Sequence, residues 1–277
     1  MTPDAYCQQK AAQGDKVFYY SALFLNPAQR RAINALCAFQ QEVVDVINDT
    51  SDENAARIKL AWWRHEIAEL FRGNPQHLVA RALASCLPDH PVDLEYLEEI
   101  IDGRELDLLQ NRYLDFAGFE RYASLVSGAF AACVASVLGD RRGSTAEYAR
   151  KLGLALELTR MIREAGADAR RGRVYLPIDE LQGFNVPVAD ILNARYSNGF
   201  RELMQFQHQR ASTCFESAMA TLPSEDRSAQ RPGLIMAAVC RTLLDEIRAD
   251  NYQVLHQRID LTPVRKLWIA WKTWVFV

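Results

Sequence analysis

The sequence predicts an all-α protein, folded as one domain over residues 1–277. Three observations carry this. Apolar residues recur at helical spacing in every long segment, and the Val/Ile/Thr-rich alternation of strands is nearly absent. Proline and glycine cut the chain into helix-length pieces, with no internal repeat, low-complexity tract or linker between them.

Asn26-Pro27 opens a helix, with asparagine as cap and proline at the first helical position. Behind it Ile33, Leu36, Cys37, Val43, Val44 and Ile47 recur at helical spacing. A second helix runs from about Asn54 to Phe71, carries Trp62 and Trp63, and ends at Gly73-Asn-Pro75. A short helix around Gln76–Cys86 stops at Pro88-Asp-His-Pro91. Leu94–Asn111, Phe119–Leu138 and Ala146–Ala165 follow, separated by Asp115/Gly118 and by Gly139–Gly143. Two long patterns, Arg195–Leu222 and Leu234–Leu255, are divided by Pro223 and Pro232-Gly233.

Composition narrows the function classes. The chain has 277 residues, 49% of them hydrophobic, and a formal net charge of −3, which gives no reason to expect nucleic-acid binding. Six cysteines occur with no C-x-x-C pair and no histidine at zinc spacing, and read as reduced core residues. Met1-Thr-Pro-Asp-Ala-Tyr6 lacks the basic region and apolar run of a signal peptide. No apolar run reaches the roughly 20 residues that span a bilayer. The expectation is a cytoplasmic protein, at most peripheral at the inner face of a membrane.

The apolar tail at 266–277 carries Trp268, Trp271 and Trp274 behind Arg265-Lys266. It reads either as a terminal helix docked on the core or as an interfacial anchor, with tryptophans at headgroup level and basic residues beside them. His208 and His256 lie on different predicted elements and have no partner at metal-ligand spacing. The acidic run Asp93–Asp107, with Asp102, Glu105 and Asp107, reads as a solvated helix face.

Six segments together resemble the squalene/phytoene synthases, on the side of the bacterial presqualene diphosphate synthases. They are Phe18-Tyr-Tyr-Ser-Ala-Leu-Phe-Leu25, Leu60-Ala-Trp-Trp-Arg64, Ile100-Ile-Asp-Gly-Arg-Glu-Leu-Asp107, Asp168-Ala-Arg-Arg-Gly-Arg-Val-Tyr-Leu-Pro177, Ala229–Met236 and Leu255–Trp268. The resemblance implies an isoprenoid-synthase fold: helices around a central apolar cavity with diphosphate sites at its mouth. It also implies a prenyltransferase that condenses farnesyl diphosphate, with magnesium held by Asp-x-x-x-Asp on each of two facing helices. Carboxylates at i and i+4 share a helix face and are hard ligands suited to magnesium.

Against that pattern, the chain departs at one chemical task. The first motif's aspartates align with Val44 and Asn48, and the second motif's with Glu164 and Asp168. A glutamine and an asparagine preceding the second motif align with Glu157 and Arg160. Other family contact positions align with Val17, Cys37, Gln41 and Cys240. Gly128-Ala-Phe-Ala131 stands where the family has Gly-x-x-Gly, adding a phenyl ring to the space left for substrate. Asp45 and Asp49 are four apart, but one residue along a helix is a turn of about 100°, which favours a solvated or rim role for both. Arg160 is spaced to pair with Glu157 and Glu164. Arg163, Arg173 and Tyr175 remain as phosphate contacts.

Three functions stay open. One is a relative with lost or strongly reduced condensing activity that binds a prenyl diphosphate, another isoprenoid lipid, a protein partner or a membrane surface. Another is an active presqualene diphosphate or squalene synthase, with Asp45, Asp49, Glu164 and Asp168 as alternative magnesium ligands. The last is a changed reaction in which Arg160 and Arg163 hold the diphosphate without metal. No cofactor is expected, except magnesium if the chain is active.

Overall fold

A computed structural model describes residues 1–14, 16–50, 52–139 and 145–276, without the side chains of residues 16–18. Among these are fourteen α-helices, one π-helical turn and no strand, only an isolated bridge between Arg112 and Val174. The helices are α1 (Pro3–Ala11), α2 (Lys16–Ser21), α3 (Pro27–Asp49), α4 (Glu53–Arg72), α5 (Leu78–Cys86), α6 (Leu94–Leu109) and α7 (Phe116–Ala123). The π turn (Ser124–Gly128) leads into α8 (Ala129–Leu138), followed by α9 (Thr145–Arg170), α10 (Ile178–Gly183) and α11 (Val188–Leu192). The last three are α12 (Asn198–Thr221), α13 (Arg231–Ala249) and α14 (Pro263–Phe276).

Local chemistry sets these boundaries. Asn26 caps α3 through the Gln29 N–H, with Pro27 behind it. Gly73 closes α4 in the left-handed region at φ 87°, and the Gly73 and Asn74 N–H groups return to Leu70 and Glu69. Gly172, at φ 75°, does the same for α9, which runs to Arg170 rather than stopping near Ala165. Gly166 is tolerated inside that helix because its missing side chain is what lets another segment approach.

Two apolar clusters meet at α8. Ala129, Phe130 and Cys133 belong to the cluster built with α3–α6, whereas Ala131, Ala132 and Ala135 belong to the one built with α9, α12 and α13. A helix buried on nearly every side must be apolar all round, and α8 is. The helical run Phe116–Leu138 is in fact long and apolar enough to cross a membrane despite Glu120 and Arg121, but most of it is buried in the bundle.

Close backbone contacts fix the layers. A Cβ on Gly153 would come within 2.5 Å of the Ser127 carbonyl and Gly128 Cα, and one on Gly166 would lie 2.2 Å from the Leu255 carbonyl oxygen. Gly166→Ala must therefore push the 255 segment away. It should destabilise by about 1–3 kcal/mol, as overpacking of a tight core does, visible as a lower urea midpoint.

Candidate functional site

A cavity of about 490 Å3 opens where α3, α6 and α9 meet the segment after Gly172. Residues 41, 44 and 48 line it from one face of α3, as the i, i+3, i+7 spacing requires. Arg160, Arg163, Glu164 and Asp168 line it from α9. Gly172 reverses the chain, the Arg173 N–H returns to the Asp168 carbonyl, and the Val174 N–H is held by the Asn111 carbonyl. Arg173 and Tyr175 are thereby brought back to the mouth.

Arg160 occupies the centre. Its Nε donates to Glu157 Oε1 at 2.5 Å and its Nη1 to Asp168 Oδ2 at 3.0 Å, while its guanidinium lies 4.7 Å from the Tyr175 ring centre. Glu157 also accepts from the Ser127 hydroxyl at 2.5 Å, a contact placed by the π turn. Arg160 was expected to pair with Glu164; its second partner is Asp168 instead. Glu164 Oε1 is already taken, at 2.7 Å each, by the Nε atoms of Arg163 and Arg258.

Burial raises the carboxyls of Glu157, Glu164 and Asp168, and the arginines decide how far. At Glu157 burial is outweighed by Arg160, Arg104 and the Ser127 hydroxyl, so its pKa falls below the usual range. At Glu164 Arg163 and Arg258 likewise win over burial. At Asp168 burial prevails over Arg160, reinforced by Glu157 and Glu164, and its pKa is raised.

Other expected contacts land differently. Tyr175 is buried and its hydroxyl donates to Asp107 Oδ1 at 2.7 Å, so it carries Arg160 on its ring rather than offering a phosphate donor. Arg163 is buried but lines the mouth, and Arg173 is half-buried there. Asp45 faces away, held by Lys10 at 2.7 Å and by Gln41 at 2.6 Å, and Asp49 is exposed outside the cavity lining. Cys37 is half-buried against the core, Cys240 lines the deeper space, and the Val17 side chain lies outside the described residues.

Several residues were not foreseen. Asp107 is no solvated helix-face residue. It is buried, accepts from Arg104 at 3.1 Å and from Tyr175, and lines the cavity with Arg104 and Tyr122. Arg171 and Arg258 also line it. The signal was present, since Arg104, Asp107, Arg171 and Arg258 all fall in segments that carry the resemblance. His208 is buried with its Nδ1 unpartnered, neither a surface nor a satisfied residue, because α12 packs it beside Tyr252.

The mouth thus presents six arginines against Asp107, Glu164 and Asp168, and Arg171 and Arg173 have no ion-pair partner among the described residues. Such surplus positive charge around a concave opening suits an anion. A magnesium pair does not fit these residues. Val44 and Asn48 offer no carboxylate, and the carboxylates of Glu164, Asp168 and Asp45 are each held by basic side chains. Among the described residues no three His, Cys, Asp or Glu side chains group closely enough to hold a metal.

Fold and cavity together define an isoprenoid-synthase-type helical protein. The squalene/phytoene synthase family profile matches residues 11–265, and the chain belongs to that family. It is 31% identical to the 15-cis-phytoene synthase of Synechocystis sp., over 96% of this chain and 83% of that protein. It is 32% identical to the 15-cis-phytoene synthase of Synechococcus elongatus, over 94% of this chain and 89% of that one. A dehydrosqualene synthase in complex with ligand superposes with a TM-score of 0.87 at 20% identity, over 99% of this chain and 96% of that one. The squalene synthase HpnC of Alicyclobacillus acidocaldarius gives 0.80 at 20% identity, over 90% and 94%. The chain is a squalene/phytoene synthase-like protein of isoprenoid metabolism.

Glu157→Ala should destabilise by about 3 kcal/mol, the low end for a broken buried pair, because Asp168 still holds Arg160. The gap between wild type and variant should be full above the usual carboxylate range. It should shrink as pH falls through the lowered Glu157 pKa, since protonation then removes the same charge from the wild type. Asp168, with its raised pKa, contributes in the opposite sense, favouring the fold at low pH and losing that contribution as pH rises through it. Urea midpoints across an acid pH series check both.

Proposed function

We propose that this chain binds a prenyl diphosphate at the arginine-lined mouth without a metal, and that it condenses two farnesyl diphosphates several orders of magnitude more slowly than an ordinary synthase, or not at all. The observation that carries this is the Arg160 guanidinium bonded between Glu157 and Asp168. Loss of diphosphate from an allylic carbon needs concentrated charge stabilisation, and one missing donor of that kind costs about 10²–10³ in rate. Here several family contacts have changed together, and such losses are not additive. Arg171 and Arg173 supply charge for holding a diphosphate, while the buried arginines are committed to carboxylates.

Incubation with farnesyl diphosphate, magnesium and NADPH should yield no C30 product above a trace. Calorimetry with a non-hydrolysable farnesyl diphosphate analogue should show binding that survives EDTA and weakens in Arg173→Ala. Ordinary turnover, abolished by changing Asp45 or Asp49, would instead establish the chain as an active condensing enzyme. The identity to phytoene synthases over nearly the whole chain supports that second reading.

A peripheral position at the inner face of a membrane belongs to the same proposal. Ala270 and Lys266 of α14 are buried and Trp274 stacks on Phe24 under Arg231, so the helix docks on the core. Trp274 does not continue the face of Trp268 and Trp271, because six residues are a turn of about 600°, or 120° off register. Val264, Leu267, Trp268, Trp271 and Val275 are left exposed on a helix with no acidic residue, beside exposed Lys272. An anionic bilayer suits that face. Liposomes containing anionic lipid should float the intact protein and release Trp268→Ser/Trp271→Ser, which spares the buried side; equal behaviour of both folded proteins would sink the membrane assignment.

A further inference from the structure

The rim of the mouth carries exposed apolar side chains that head-group binding leaves unused. Between α6 and α7 the chain turns through residues 110–115. Tyr113 is buried there, and its ring stacks on Tyr175 at 5.9 Å. Leu109, the last residue of α6, and Leu114 are 59% and 77% exposed. The backbone that carries them is tied down. The carbonyls of Asn111, Tyr113 and Leu114 accept from the N–H groups of Val174, Ile178 and Asp179. The turn is thereby stitched to the segment that brings Arg173 to the mouth. A third exposed leucine, Leu192, follows Ile191, which shares a crevice with Arg173.

Charge decides what covers these leucines. Arg112, Arg171 and Arg173 accompany them and have no ion-pair partner among the described residues. The acids of the same stretch, Asp115 and Asp179, are turned to the backbone, accepting from the Gly118 and Glu180 N–H groups at 2.8 and 2.7 Å. A second copy of this rim would set arginine against arginine, because a two-fold contact pairs a patch with itself. An anionic bilayer takes apolar side chains below its head groups and offers phosphates to the arginines. We propose that the rim of the mouth is itself a membrane contact, with Leu109, Leu114 and Leu192 beneath the phosphates and Arg112, Arg171 and Arg173 bonded to them. The cavity then opens onto the bilayer. Val264, at the exposed start of α14, is six residues from Arg258 at the mouth and so within about 20 Å of it. A prenyl diphosphate keeps its tail in lipid and its charge at head-group level, and reaches the arginines without leaving the interface. That last step rests on the diphosphate reading; the membrane contact does not.

The probes are vesicles of phosphatidylcholine with and without phosphatidylglycerol, free of any diphosphate. Wild type is compared with Leu109→Ser/Leu114→Ser, Arg112→Gln and Trp268→Ser/Trp271→Ser. The leucine pair should weaken binding to anionic vesicles about tenfold, in addition to any loss from the tryptophan pair. Arg112→Gln should weaken it less, and on anionic vesicles only. In wild type, amide exchange across residues 109–115 should slow when anionic vesicles are added. All the substituted side chains are exposed, so melting temperatures should stay near that of wild type. The proposal is overturned if a folded leucine variant binds vesicles as wild type does, or if exchange across 109–115 is unchanged. It falls equally if that exchange slows with protein concentration and not with vesicles, since the leucines then meet a protein surface. Calorimetry with the farnesyl diphosphate analogue in solution is read separately, and the leucine variant should keep wild-type affinity there. If vesicles protect the rim while no analogue binds, the head-group reading falls and the membrane contact stands.

Discussion

The site is organised around one half-buried cation. Arg160 sits deep in the cavity with 27% of its side-chain surface reached by solvent, and it would be costly there without partners. Glu157 and Asp168 supply the counter-charge and the Tyr175 ring supplies a face, while Nη2 stays unpartnered. Each partner is tied further out. Glu157 accepts from Ser127 of the π turn, and Tyr175 donates to Asp107 of α6, which in turn accepts from Arg104. Removing the guanidinium would therefore leave Glu157 and Asp168, both on α9, without their arginine counter-charge. The cluster is cooperative, so its members are worth more together than as pairs.

The framework that carries this cluster is separate from the cluster itself. The helices that frame the cavity are positioned by apolar packing at α8 and by backbone contacts at Gly153 and Gly166. None of those contacts is made by a charged residue of the mouth. Charge at the mouth is consequently a separate variable, and in this chain it takes the form of arginines arranged around carboxylates.

Much of this was legible in the sequence, and for identifiable reasons. Helical periodicity and the Asn26-Pro27 and Gly73 punctuation are local signals, so α3, α4 and the all-α class followed directly. The Glu157–Arg160 pair is three residues apart on one helix and was equally readable. Asp168 as the second partner of Arg160 was not, because Glu164 is withdrawn by Arg258, which is 94 residues away in sequence. Asp107 escaped for the same reason: its partners Tyr175 and Tyr122 arrive from other elements. The end of α9 was missed because Gly166 looks like a stop, while its actual role is to admit the Leu255 backbone. The tail docks on the core through one face, as the first of its two readings expected, and leaves another face exposed.

Gly153 has a consequence for how such a protein can change over time. It lies one helical turn before Glu157, and its backbone rests on Ser127 and Gly128, so the floor of the mouth and the wall formed by these two elements are held in a single register. Side chains projecting from that wall can grow or shrink without dragging the backbone with them. The arginine cluster keeps its geometry through such changes.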